Sequence, residues 1–180
     1  MVEYIERLTG IKDIEGNTLE QIISDPNILK NISKIQREKL QMIREIIQNS
    51  YFSKSKDQIK CSKDSYEHFK FLKLEDVEYF YVLLLRKNNS VIKRVQISKG
   101  GTAGTVVDTK LIAQETVINK ANSIILAHNH PSGNTKPSEA DRKITTKIKE
   151  GLKFLDVEVL DHIIIAGEDY YSFADNCDLN

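Results

Sequence analysis

Apolar residues change their spacing part-way along this chain, and that change limits the folds open to it. From residue 1 to about 50, isoleucine and leucine recur at helical spacing, so that Ile32, Ile35, Leu40, Ile43 and Ile47 can share one face. Ser24-Asp25-Pro26 reads as a helix start and residues 10–18 as a turn. Residues 51–64 turn to Ser, Lys and Asp, the composition of a linker. Beyond them come short runs of branched and aromatic residues. Tyr79–Leu85 (YFYVLLL) has the character of a buried strand, Lys87-Asn88-Asn89-Ser90 supplies a turn, and residues 91–98 return with alternation, which predicts a hairpin. Gly100-Gly101 and Gly104 break the chain, and Asp108 is placed to cap a helix reaching Ala121. Residues 123–127 (SIILA) follow as a strand. A helix over 139–154 is amphipathic through Ala140, Ile144, Ile148 and Leu152, and residues 157–160, 162–166 and 170–173 read as three closing strands. The expectation is a mixed α/β domain over 65–180, a sheet flanked by helices, behind a small N-terminal helical segment over 1–50.

Size and charge exclude several functional classes. A chain of 180 residues with 40% hydrophobic content supports one globular domain with a small appendage. Lysine plus arginine and aspartate plus glutamate each number 26, so no global charge attracts nucleic acid or a membrane surface. Cys61 and Cys177 lie far apart without CxxC spacing and read as free thiols of a reducing compartment. No apolar run approaches the roughly 20 residues that span a bilayer, and the opening MVEYIERLTG is acidic where a signal peptide is basic. A soluble, cytoplasmic protein is expected.

The chemistry concentrates in Ala127-His128-Asn129-His130-Pro131-Ser132-Gly133 and Pro137-Ser138-Glu139-Ala140-Asp141. Histidines at i and i+2, where a strand runs out, project to the same side and can share one metal ion. Asp141, early in the next helix, can complete a His₂Asp set that leaves one position open to water. Each residue also has a plainer reading. Two histidines at a strand end can serve surface polarity or core hydrogen bonding. Ser138 and Asp141 match a capping box at a helix start. The letters His-Asn-His suggest the HNH nucleases, whose residues are instead dispersed over a ββα unit.

Together these positions reproduce the HxHx₇SxxD pattern of the JAMM metalloproteases. The phrases ISKGG (residues 97–101), HNHPSG (128–133), PSEAD (137–141), LDHIII (160–165) and YYSF (170–173) resemble the RadC-like branch of that family over roughly residues 65 to 175. The resemblance implies the JAMM/MPN fold, of cytidine-deaminase-like architecture. It also implies a zinc ion on His128, His130 and Asp141 and a water activated against an amide or isopeptide bond of a peptide or protein. Ser138 would then help to stabilise the oxyanion. The family's general-base glutamate is expected four residues before Gly100, where this chain has Gln96. An amide is no base at neutral pH, and a positioned base contributes about 10² to 10⁴ in rate, so zinc binding with poor hydrolysis is expected. Three accounts stay open: a pseudoenzyme that binds a partner, a glutamate-to-glutamine trap, or an enzyme using another carboxylate, with Glu78 the nearest candidate.

His162 can orient the site from behind the ligands or be a satisfied core histidine. Residues 22–47 faintly resemble the helix-hairpin-helix region that RadC-like proteins often carry, but Asn31-Ile32-Ser33-Lys34-Ile35 lacks the hairpin glycine. Between residues 34 and 63, 8 basic side chains face 3 acidic ones, which permits contacts to DNA phosphates. The function expected is a zinc-dependent hydrolase weakened at Gln96; its rival is a non-catalytic zinc module that binds a protein or DNA-associated partner.

Overall fold

The structure, a computed structural model, describes residues 2–11, 22, 28, 30–54, 57–100 and 107–179. The expected helix start at Ser24-Asp25-Pro26, Gly101 and Gly104 lie outside them, as does most of the turn over 10–18. The chain divides into two compact units, 1–54 and 55–180.

In the first unit, helix α1 spans Val2–Thr9 and helix α2 spans Lys34–Lys54. Ser33 and Gln36 form a reciprocal cap at the start of α2: the Gln36 amide donates to Ser33 Oγ at 3.3 Å, and the Ser33 amide to Gln36 Oε1 at 2.9 Å. Gln36 Nε2 also donates to the Gly10 carbonyl at 2.8 Å, tying the end of α1 to the start of α2. Ile5, Ile11 and Leu40 are buried, whereas Ile35, expected on the same face, is 65% exposed. α2 runs through residue 54, so part of the expected linker is helical.

The second unit opens with helix α3 (Ser62–Phe69) and a 3₁₀ turn (Lys70–Leu74). This segment had carried no sequence expectation of a helix. Strands β1 (Tyr79–Leu85) and β2 (Val91–Lys99) form the predicted hairpin. Helix α4 (Thr109–Ile118) follows, and Asp108 caps it by accepting from the amides of Lys110 and Leu111. It stops three residues short of Ala121, where Asn119 ends the helix and Lys120 takes a positive φ. β3 (Ser123–Asn129), helix α5 (Glu139–Lys153), β4 (Glu158–Ala166) and β5 (Asp169–Ser172) complete the unit. The sheet order is β2-β1-β3-β4-β5, antiparallel except for β3 and β4. That parallel pair is joined through α5, as parallel neighbours require.

Two of the three expected closing strands are one. Leu160-Asp161 interrupts the apolar pattern as a register shift against β3 rather than as a break. Asp161 is buried there because its carboxylate accepts from the amides of His162 and Ala174 and from the Ser172 hydroxyl.

Side-chain alternation sorts the sheet into two covered faces. Phe80, Val82, Leu84, Ile124 and Leu126 pack with Ile112 of α4 and with Ile148 and Leu152 of α5. On the opposite face Tyr81 meets Phe71 edge-on at 5.4 Å, and the Arg94 guanidinium lies 4.0 Å over Phe71. β3 is central and wholly buried, so its last residues are held to a fixed geometry. Truncating Leu126, fully buried at the centre of this core, to alanine is expected to cost about 2–5 kcal/mol, read as a lower denaturation midpoint with unchanged slope. A loss under about 0.5 kcal/mol would contradict the packing described.

Candidate metal centre

β3 delivers His128 as its penultimate residue, on the α5 face of the sheet, directly opposite Phe80. The Phe80 and His128 rings stack with centroids 5.9 Å apart. His130 follows one residue beyond the strand, and its amide still pairs with the Ile165 carbonyl at 2.8 Å. Between them Asn129 points away and braces the sheet, accepting from the Tyr79 amide and donating to the Val77 carbonyl. The chain then turns back at Gly133, whose φ of 78° suits glycine and whose amide donates to the His130 carbonyl. This return carries the backbone to α5 and Asp141.

Asp141 performs both jobs that the sequence left open. Its Oδ2 accepts from the Ser138 amide at 2.7 Å and the Ser138 hydroxyl at 2.6 Å, while its own amide donates to Ser138 Oγ at 3.1 Å. This is the predicted capping box, and it saturates one carboxylate oxygen. Oδ1 is left facing His128 Nε2 at 3.2 Å.

His128 Nε2 and His130 Nε2 are 3.0 Å apart, and one ligand atom from each of His128, His130 and Asp141 lies within 4.8 Å of the others. A tetrahedral zinc ion sets nitrogen and oxygen donors about 3.3 Å apart; the contacts of His128 Nε2, 3.0 Å to His130 Nε2 and 3.2 Å to Asp141 Oδ1, are close to that spacing, and His130 Nε2 lies 3.6 Å from Asp141 Oδ2. His130 Nδ1 is 2.6 Å from the Asn134 carbonyl, which can only accept; the proton therefore sits on Nδ1 and the ring turns Nε2 to the cluster. The group can hold a metal ion.

Charge makes the same point. The hydrogen bond with Asp141 raises the His130 imidazole above its ordinary value, against the opposing effect of burial. Burial on its own would raise the Asp141 carboxyl, but its polar contacts with His128, His130 and Ser138 outweigh it and hold the group well below the usual carboxylate range. The cluster thus attracts positive charge, and a proton on His130 supplies it when no metal does. Behind this group, His162 Nε2 lies 2.8 Å from His128 Nδ1, and Thr145 Oγ1 lies 2.6 Å from His162 Nδ1. Thr145 was missed in the sequence. Its spacing of four from Asp141, one helical turn, was the available signal.

Gln96 is not brought to this group. Its amide oxygen accepts from the Tyr81 hydroxyl at 2.9 Å, on the sheet face that carries Phe71 and Arg94. The physical reason is strand alternation: Tyr81 pairs with Gln96, and Phe80, its neighbour, is the residue that faces His128. β2, VIKRVQISK, has no carboxylate anywhere along its length. Glu78 immediately precedes β1, and its charge contributes to raising His130. Ser138 has its hydroxyl proton committed to Asp141. Cys61 and Cys177 are exposed and not joined in a disulfide. Among the described residues no helix is long and apolar enough to cross a membrane.

The unit is thus an α/β domain in which two imidazoles at the end of the central strand and a carboxylate from the next helix form a group that can hold one metal ion. Comparison with known proteins makes this specific. The profile described as RadC-like JAB domain matches residues 53–178, and the chain belongs to that family. A UPF0758 protein of Chlorobium chlorochromatii is 32% identical over 170 residues, covering 93% of this chain and 73% of that protein. A UPF0758 protein of Flavobacterium johnsoniae is 52% identical over 98 residues, 54% of this chain and 43% of that protein. One of Haemophilus influenzae is 41% identical over 106 residues, 59% of this chain and 48% of that protein. The match therefore spans less than half the length of the last two relatives.

The raised His130 fixes a sign for pH dependence without metal. Its contribution to stability is fully present below the ordinary value of 6.5 and is lost as pH rises through the raised folded value. Thermal unfolding of the chelator-treated protein across roughly pH 5.5 to 8.5 should show this loss, whereas stabilisation by added zinc, which competes with the same proton, should grow with pH. Zinc stabilisation that shrinks as pH rises would contradict the assignment.

Proposed function

We propose that this domain is a zinc-dependent hydrolase of the JAMM type, acting slowly on an amide or isopeptide bond of a peptide or protein substrate. The observation that carries the reading is the convergence of His128 Nε2, His130 Nε2 and Asp141 Oδ1 at the end of β3, with the family membership of the chain behind it. Among the described residues three donors converge rather than four, the pattern of a catalytic zinc site, since a structural one is closed by a fourth. His128, His130 and Asp141 would hold the ion, which when bound lowers the pKa of water and polarises a carbonyl.

The residues of the chain divide the remaining work. Asn129 and Phe80 hold the strand end and the His128 ring in place. Ser138 holds Oδ2 of Asp141 through its amide and hydroxyl, which fixes the carboxylate with Oδ1 3.2 Å from His128 Nε2 and Oδ2 3.6 Å from His130 Nε2. To donate to a developing oxyanion its hydroxyl would have to leave Asp141, so its first role is to orient the ligand. Glu78, a carboxylate whose charge reaches His130, is assigned the proton from the attacking water, because β2 offers no carboxylate.

A second reading has an observation in its favour: Gln96 is anchored to Tyr81 on the far face, which suits a module that binds a partner without turnover. Turnover separates the two. Zinc-loaded protein is expected to cleave amide or isopeptide substrates slowly, and Glu78→Gln to lower that rate by about 10² to 10⁴ with zinc content unchanged. Gln96→Glu should leave the rate within a few-fold. A large gain from Gln96→Glu with no effect of Glu78→Gln would overturn the assignment of the base. Inertness of all three proteins over a broad substrate panel, with a partner still captured, would establish the binding module.

A further inference from the structure

Thr145 stands one turn after Asp141 on α5, with its hydroxyl 2.6 Å from the Asp141 carbonyl and 2.6 Å from His162 Nδ1. A carbonyl oxygen has no proton to give, so the single hydroxyl proton of Thr145 goes to Asp141. The contact to His162 must then be carried by a proton on Nδ1, donated to the threonine oxygen. His162 is fully buried, its ring stacked on Phe173 at 4.8 Å and edge-on to Phe80 at 5.5 Å. An uncharged imidazole is the form such surroundings favour, and it has one ring proton. With that proton on Nδ1, Nε2 of His162 is an acceptor. His128 Nδ1, 2.8 Å away, is therefore a donor, and His128 Nε2 is left bare toward His130 and Asp141.

We propose that Thr145 and His162 are positioning residues, a one-way chain of hydrogen bonds that fixes the tautomer of His128 so that Nε2 is offered to a metal ion. The inference rests on the metal-site reading above. A histidine ligand usually gives its second N–H to a carbonyl or carboxylate, whose polarity is permanent. Here the acceptor is another imidazole, which accepts only while its own proton is held elsewhere. Thr145 holds it. The chain also closes on itself, because the Asp141 carbonyl that orients Thr145 belongs to the residue whose carboxylate joins the cluster. One turn of α5 thus places a ligand and sets the protonation pattern of another.

Thr145→Val keeps the shape of the side chain and removes the hydroxyl. Two measurements test it: the affinity for Zn²⁺ alone by competition with a chromophoric chelator, and the histidine tautomers of the metal-free protein by long-range proton–nitrogen NMR. The wild-type protein should carry its protons on Nδ1 of both His128 and His162. Thr145→Val should lose that pattern and weaken zinc by about 10- to 100-fold, and Thr145→Ser, which retains the hydroxyl, should stay within a few-fold of wild type. A folded Thr145→Val protein with unchanged tautomers and affinity would overturn the proposal. So would wild-type protein with His128 protonated on Nε2, a result that needs no variant. Wild-type protein with the expected tautomers but no affinity for zinc would refute the metal reading and uphold the chain of hydrogen bonds.

Discussion

Three electron-pair donors, one each from His128, His130 and Asp141, lie within 4.8 Å of one another, with His128 and Asp141 buried. Lone pairs facing one another repel unless positive charge lies among them. A proton on His130 satisfies that requirement one way, and a metal ion satisfies it with all three atoms at once. The surroundings of the cluster can be understood as what keeps these atoms from turning elsewhere: Asn134 behind His130, His162 and Thr145 behind His128, Ser138 behind Asp141.

The fold supplies that rigidity at low cost. β3 and β4 are parallel, so the chain must cross over between them, and α5 is the crossover. The segment that turns back at Gly133 brings the first turn of α5 to the end of β3. The capping box that any helix start benefits from is here made by Asp141 itself, a member of the cluster. Stability and site geometry are consequently inseparable at Ser138 and Asp141: a substitution there removes a cap and misplaces an oxygen in one step.

Much of this was legible in the sequence, for reasons that differ by element. The hairpin of β1 and β2 and the amphipathic α5 were clear because burial imposes a period on side chains. His128, His130 and Asp141 were legible because the spacing of a strand end, a turn and a helix start is itself a constraint on geometry. The fate of Gln96 was not, since a one-residue register decides which face of a strand a side chain occupies, and the extra residue Ile97 in the pairing with β1 lies beside it. The helix over residues 62–69 was hidden for a related reason. Its buried side chains include Asp64, Ser65 and His68, polar residues that local pattern assigns to the surface. Leu160-Asp161 misled in the opposite direction, because a bulge filled by a fully hydrogen-bonded aspartate imitates a loop.

The relation between the cluster and a metal is tested most directly by diffraction from zinc-soaked crystals on either side of the zinc absorption edge. A single anomalous peak bonded to His128 Nε2, His130 Nε2 and Asp141 Oδ1, about 2.0–2.2 Å from each, is the expected result. Ordered crystals in excess zinc with no peak there, or a peak that leaves Asp141 turned wholly to its helix cap, would contradict it.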